Sequence, residues 1–436
     1  MSGLRSPLRD YSPSTPREAS EAIVRNFLLH AFPVRTTKRA LAWITTGWLG
    51  TLTLALFLIL CATGGFLLFV YVPSVESAYA SILDLEHMVR FGSWLRGTHR
   101  AAAHLMVISV VLHLARVFLT GAYKREGLPG ATRPLNWLVG IVLLVMTLGL
   151  SFTGYLLPWD QLAFWAVTVG TRIAASVPVV GGGLRDLLLG GEAVGPAALT
   201  RFYALHCFVL PAITIALTAY HLWRIRKDGG LAASDRVADA AMARAEAVPP
   251  SPGKSYTLLG TTRGEGVGSV SAAPLLTAES VMALPNLVRR VGVASLVALV
   301  LSSVIGLVSA APLEPPADPS RTPNPAKAPW YFLWLQELVS DLTFRIGGFA
   351  VDGSLVGGVL LPGLLVGLLA AWPWLDKSPR EAAGVWFHRT RRRQTTVFLG
   401  VMAAIVVLTL VGSLCRGPYW AWVWPWEART PAPTWL

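Results

Sequence analysis

The sequence predicts an all-α polytopic membrane protein: a four-helix bundle followed by three further crossings. Three observations predict it. Of 436 residues, 53% are hydrophobic and only 14% are charged, a balance foreign to soluble globules. About seven apolar runs are each long enough to cross a bilayer core of about 30 Å. Two of these runs carry a histidine near either end: His99 and His113 in the second, His206 and His221 in the fourth.

In chain order, residues 1–42 are polar and basic and are expected to form a cytoplasmic segment, with a short amphipathic helix at 21–33. No secretory signal pattern is expected, because the first long apolar run starts too late and is too long. The spans of the bundle are 43–72, 98–120, 135–157 and 202–223, with a kink expected at Pro211. Residues 43–228 therefore form the first membrane domain. Residues 229–286 are rich in Ala, Gly and Ser and read as a cytoplasmic linker. Residues 287–415 hold the spans 291–313, 353–375 and 394–415. The Trp-rich tail, 416–436, reads as an interfacial aromatic anchor on the far side.

Charge sets the expected orientation. Lys and Arg number 7, 3, 9 and 6 in the N-terminal segment and alternate connections, against 2, 3, 3 and 2 on the opposite side. Positively charged loops stay inside, which predicts a cytoplasmic N-terminus and an outer C-terminus. The net charge of +13 is then a matter of topology, and no nucleic-acid partner is implied. Cys61, Cys207 and Cys415 lie far apart in apolar runs, with no C-x-x-C-H motif. Covalent c-type haem by that route and cysteine-held clusters are excluded.

The histidine spacings, 14 and 15 residues, put both members of each pair near one helix face, about 21–23 Å apart along the axis. Two such helices side by side offer two levels of facing pairs, His99 with His206 and His113 with His221. Each level suits one iron porphyrin held by two neutral imidazoles. The alternative is that they are interhelical hydrogen-bonding groups. Gly50 and Gly64 on the first span, and Gly140 and Gly154 on the third, repeat the 14-residue interval. They would let a flat ring approach the backbone, unless they serve only close helix packing. Arg96 and Arg116 flank His99 and His113 on their water sides and suit haem propionates, or merely snorkel. Arg100 is a weaker candidate. His104, about 140° round the helix from His99, reads as a hydrogen bonder or subunit contact. His30, His87 and His388 fall in loops or at termini.

At this point the sequence resembles cytochrome b of the quinol:cytochrome c oxidoreductases, nearer the plastid-type bf branch than the mitochondrial bc branch. The resemblance rests on Gly154-Tyr-Leu-Leu-Pro158-Trp-Asp160-Gln161, on Arg201-Phe-Tyr-Ala-Leu-His206-Cys-Phe-Val-Leu-Pro211, and on Arg224-Ile-Arg226-Lys227. Leu313-Glu-Pro-Pro-Ala-Asp318-Pro and Pro329-Trp-Tyr331-Phe332 resemble the second half of the family, a separate subunit IV in bf complexes. Here both halves look fused. The resemblance covers about residues 40–230 and 285–415.

It implies a protonmotive Q cycle in a bacterial cytoplasmic membrane. Quinol would be oxidised at an outer site near His99 and His206. One electron would pass to a Rieske iron–sulfur subunit and on to a c-type cytochrome. The other would pass through two b haems to an inner quinone site near His113 and His221. The complex would be a homodimer. The outer site would lie between 158–176, with Trp159 and Asp160, and the segment Pro329, Trp330 and Tyr331.

Two departures stand out. The family usually has Glu before the Trp-Tyr pair's tryptophan, at a motif Pro-Glu-Trp-Tyr; this chain has Ala328-Pro329-Trp330-Tyr331. Glu337, seven residues past Trp330 and on the same helix face, is expected to replace that carboxylate, or to be an ordinary interfacial one. Trp48 stands where the bf branch attaches a covalent haem, so two b haems and no covalent one are expected. Two rival readings are a dihaem quinone-reactive anchor of another dehydrogenase or reductase, and a transporter without haem.

Overall fold

Apolar runs fold as helices here because lipid offers the backbone no water, and a helix satisfies its own N–H and C=O groups. The computed structural model describes residues 35–124, 133–227, 280–379 and 382–427. Among them, seven helices are long and apolar enough to cross a membrane. The helix expected at 21–33 and most of the 229–286 linker lie outside the described residues.

Helix α1 (Leu49–Leu67) is shorter than the run at 43–72. Gly47 and Trp48 both take positive φ, 59° and 53°, which stops helix propagation before Leu49. Trp48 is buried with Leu41, Leu287 and Ala294. After α2 (Ala78–His87), α3 runs Gly92–Thr120, six residues longer at its start than expected. Helix α4 is Arg133–Tyr155. Two short helices, α5 (Gln161–Ala175) and α6 (Gly181–Leu189), follow at the His99 end of the bundle.

The fourth crossing is α7 (Pro196–Ala204) and α8 (Leu210–Lys227), joined by a π-turn, Leu205–Val209. Pro211 has no N–H to give to the residue four back, and the wider turn just before it absorbs the loss. A π-turn inserts one residue into an α-helix. That one residue is the difference between the 15 separating His206 from His221 and the 14 separating His99 from His113.

The second half begins with α9 (Ala283–Val308), which packs on α1 and α3. Helix α10 (Trp330–Asp341) lies against α12 (Arg392–Leu414), with α11 (Leu361–Leu375) between them in sequence. Strand β1 (Arg35–Thr37) pairs antiparallel with β2 (Ser280–Met282), and β3 (Phe344–Ile346) with β4 (Phe349–Val351).

Helix α3 is the centre of the molecule: 44% of its apolar window is buried, against 6% for the crossing that contains α11. Its contact with α9 is backbone to backbone. A Cβ on Gly306 would lie 2.3 Å from the Thr98 nitrogen, and one on Gly97 would lie 2.4 Å from the Gly306 oxygen. Gly306→Val should therefore push α9 off α3 and cost about 1–3 kcal/mol, the usual penalty of overpacking. The check is the melting temperature of the detergent-solubilised protein, which should fall by several degrees.

Besides the α3–α9 contact, hydrogen bonds among the described residues join the halves at both ends of the bundle. At the His99 end, Gln161 N–H donates to Pro315 O (2.9 Å), Ala317 N–H to Trp159 O (3.1 Å), and Asp318 N–H to Gln161 Oε1 (2.6 Å). Arg96 donates to Ala311 O and Pro312 O, both at 2.8 Å. At the His113 end, Arg391 is fully buried against the C-terminus of α3.

Candidate functional site

The four histidines sit on two levels, each facing a glycine of a neighbouring helix. A Cβ on Gly64 would lie 3.3 Å from His99 Cε1, and one on Gly154 only 2.5 Å from His206 Cε1. At the other level a Cβ on Gly50 would lie 3.1 Å from His113 Cε1, and one on Gly140 3.7 Å from His221 Cε1. The glycines therefore make room for the imidazoles themselves, an assignment finer than the close approach of a flat ring expected from spacing. Gly154→Ala should displace the His206 ring, since no Cβ tolerates 2.5 Å. The expected readout is an altered absorption band or midpoint of one haem centre in the purified protein, with the other unchanged.

Hydrogen bonds fix the rings. His99 Nδ1 meets Thr63 Oγ1 at 2.8 Å, and His206 Nδ1 donates to Leu150 O at 3.0 Å. That leaves each Nε2 for a ligand, the arrangement in which a second partner sets tautomer and orientation of a metal-binding imidazole. An imidazole nitrogen binds a metal at about 2 Å, so rings on opposite sides of one ion have centres about 6 Å apart. The His99 and His206 ring centres are 6.4 Å apart. His113 and His221 lie within electrostatic reach of each other. Among the described residues no group of three or more His, Cys, Asp or Glu could hold a bare metal ion. Two-imidazole levels suit instead an iron whose remaining ligands come from a macrocycle. The residues present fit a b haem at each level.

The arginines separate by environment. Arg96 is buried and engaged by Glu86, Ala311 and Pro312, so its guanidinium ties α3 to α2 and to the chain beyond α9. Arg116 is buried three residues after His113. Arg100, one turn past Arg96, lies within reach of Tyr331 and Tyr155.

A second group forms where α3, α4 and α10 meet. Pro329 precedes the first residue of α10 and Trp330 opens the helix. Trp330 Nε1 donates to His104 Nδ1 at 2.8 Å. The His104 ring also lies edge-on to Tyr331, with centres 5.8 Å apart. Burial pushes the Tyr331 phenol up to about 12, so it stays protonated at neutral pH. His104 is thus a hydrogen bonder, as its place round the helix from His99 suggests, with a partner that spacing alone does not identify. Its one signal was a position four residues past Arg100, which places both on one face.

Glu337 is elsewhere. It is fully buried, and its Oε1 is held by Arg416 Nε at 2.7 Å and Nη2 at 2.5 Å. Arg416 also binds Asp341 at 2.7 Å, and the Glu337 carboxylate above all raises the Arg416 pKa. Glu337 thus shares the helix face of Trp330 while its carboxylate is committed to the end of α12. Trp159 and Asp160 fasten the halves. Asp160 accepts from the N–H of Ala163 (2.9 Å) and of Glu314 (3.2 Å); burial nonetheless raises its pKa.

Comparison with known proteins covers both halves. The family model for cytochrome b/b6/petB matches residues 36–229, and that for cytochrome b (C-terminal)/b6/petD matches residues 316–428. Cytochrome b6 of Heliobacterium mobile is 46% identical over 181 residues, spanning 42% of this chain and 82% of the relative. Cytochrome b6 of Synechococcus elongatus is 44% identical over the same length, 81% of that protein. A solved structure described as a hyperthermophilic respiratory Complex III shares the fold, with TM-score 0.65 and 22% identity over 92% of this chain and 89% of the other.

Proposed function

The chain belongs to the cytochrome b/b6 family, with its b6-like and petD-like parts in one polypeptide, and from that premise we propose that it is the cytochrome b subunit of a proton-translocating quinol:cytochrome c oxidoreductase. Membership makes it an integral membrane protein of electron transport; the Q cycle is the finer reading. The observation that carries it is the register of two imidazole levels, each with a glycine opposite every histidine.

His99 and His206 would hold the outer haem, and His113 and His221 the inner one. Bound b haem supplies reversible one-electron chemistry at iron. The chain's own part is to hold the imidazoles in one tautomer through Thr63 and Leu150, and to exclude water with the apolar faces of α1, α3, α4 and α8. Arg116, buried beside His113, is suited to pair with a propionate at the inner level. Quinol would bind at the outer side, against Trp330 and Tyr331. Its electrons would go to a Rieske iron–sulfur partner and, through the bundle, to quinone at the cytoplasmic side. A c-type cytochrome, a bacterial cytoplasmic membrane, a cytoplasmic N-terminus and a homodimeric complex belong to the same proposal.

A redox titration of the purified protein tests it. Two b-type centres, two haems per chain and no haem-stained band at the chain's mass on a denaturing gel are expected. A colourless protein, or one b centre alone, removes the reading. The indole of Trp48, packed against Leu287 and Ala294, supports the absence of a covalent haem at that position. For Glu337, quinol oxidation by Glu337→Gln is decisive. An unchanged rate and pH profile, the result expected from its pairing with Arg416, takes it out of proton transfer. Loss of one limb of the profile makes it the acceptor.

A further inference from the structure

Where a carboxylate is missing before Trp330, a histidine from another helix reaches the same tryptophan. The contact is well formed: N–H···N at 2.8 Å, with the two ring planes 22° from parallel. An indole N–H can only donate. The His104 nitrogen that faces it must therefore be the unprotonated one, and the far nitrogen carries the proton. Protonation of the facing nitrogen would set two donors against each other and break the contact. His104 is half-buried, as are Trp330 and Tyr331. The titratable and charged groups that face it are Arg100 on its own helix and Tyr331 on α10, and Arg100 is itself within reach of Tyr155 on α4.

We propose that His104 is a positioning residue of the outer quinol site: it holds the Trp330 indole and the Tyr331 ring as one wall against which a benzoquinol or naphthoquinol head binds, and it does not receive the quinol proton. The inference rests on the outer-site reading above. Two features of the geometry separate these roles. The accepting nitrogen is already occupied by Trp330, which removes His104 as a base while the wall is intact. The same ring touches both aromatic residues, so one side chain orients two. A small change at position 104 then alters how quinol is held, not how fast its protons leave.

The test uses the intact membrane complex and two short-chain quinols, one benzoquinol and one naphthoquinol. His104→Leu should raise KM for the preferred quinol about five- to tenfold, the weight of one buried hydrogen bond, with kcat within about twofold of wild type. His104→Gln, whose amide oxygen can accept from the indole, should restore most of the loss and keep the wild-type pH profile. Trp330→Phe should raise KM similarly, and the double variant His104→Leu/Trp330→Phe should be no worse than the worse single one. Both haem midpoints should stay put. An unchanged KM in His104→Leu, an additive double variant, or a pH limb lost in His104→Gln overturns the proposal. A wild-type complex that oxidises neither quinol overturns the outer-site reading instead, and the two failures are distinct.

Discussion

Replacing His206 with leucine should abolish one of two b centres and reduce quinol oxidation to background, beyond the roughly 10–100-fold that loss of an outer-shell partner of a metal ligand costs. The reason is local. His206 lies in the π-turn Leu205–Val209, with Nδ1 on Leu150 O and its ring centre 6.4 Å from that of His99. No neighbouring side chain can take its place: Cys207 is on another face, and among the described residues no third metal-binding group joins the pair. The inner level, 14–15 residues away, should keep its centre and its midpoint. A titration that resolves two centres in wild type and one in His206→Leu confirms the level assignment. Two surviving centres would show that His206 is only a hydrogen-bonding residue of the bundle. Thr63→Val is the milder partner experiment, since it removes the contact at His99 Nδ1 and the hydroxyl's bond back to Ile59 O but leaves both imidazoles in place, and should shift one midpoint without loss of the centre.

The second large effect is expected from Arg391→Met. Arg391 donates to Leu119 O (3.0 Å), Phe118 O (2.7 Å), the Tyr123 hydroxyl (2.7 Å) and Asp376 Oδ2 (3.2 Å), with none of its side chain exposed. It thus caps the last carbonyls of α3, groups that have no partner within the helix, from the start of α12. Tyr123 in turn donates to Asp376 at 2.6 Å, and Lys124 to the Ser378 oxygen at 2.8 Å. Removing the guanidinium takes one donor from the two buried helix-end carbonyls and from Tyr123, and leaves Asp376 to Tyr123, Lys124 and Ser378, at a cost of about 1–3 kcal/mol. The expected readout is a thermal midpoint several degrees lower, with haem lost in the same transition. Retention of the wild-type midpoint would mean that water replaces the donor.

The same cluster sets a pH limit. Burial alone would raise the Asp376 pKa, but the hydrogen bonds from Ser378 and Tyr123 and the Lys124 charge outweigh it and hold the carboxyl well below its ordinary value. A depressed folded pKa adds stability above the unfolded value, about 3.9. That stability is lost as pH falls from there toward the folded value. Thermal midpoints should therefore be flat in this contribution near neutrality and decline only under strongly acidic conditions.

Much of the molecule is legible in the residues. The seven crossings follow from apolar length, because lipid leaves the backbone few choices. The histidine levels follow from a 14-residue interval, because helix geometry converts spacing into height. What escapes is whatever depends on exceptions to that geometry. The break at Gly47 and Trp48 shortens the first crossing, and a wider turn, not a simple proline kink, reconciles 15 with 14. The fate of charged side chains escapes too. Arg96 and Glu337 satisfy sequence spacing for a propionate and a quinol, yet each finds its partner on an element far along the chain: Ala311 and Pro312 for one, Arg416 for the other. The partner of His104 escapes for the same reason, since Trp330 is 226 residues away.

The crossing of Gly97 over Gly306 lies two residues from His99. With no side chain between the two backbones there is no cushion, and any slide of α9 must be taken up by α3 itself. The C-terminal half is then an abutment for His99: the stiffness of that joint limits how far its imidazole can drift.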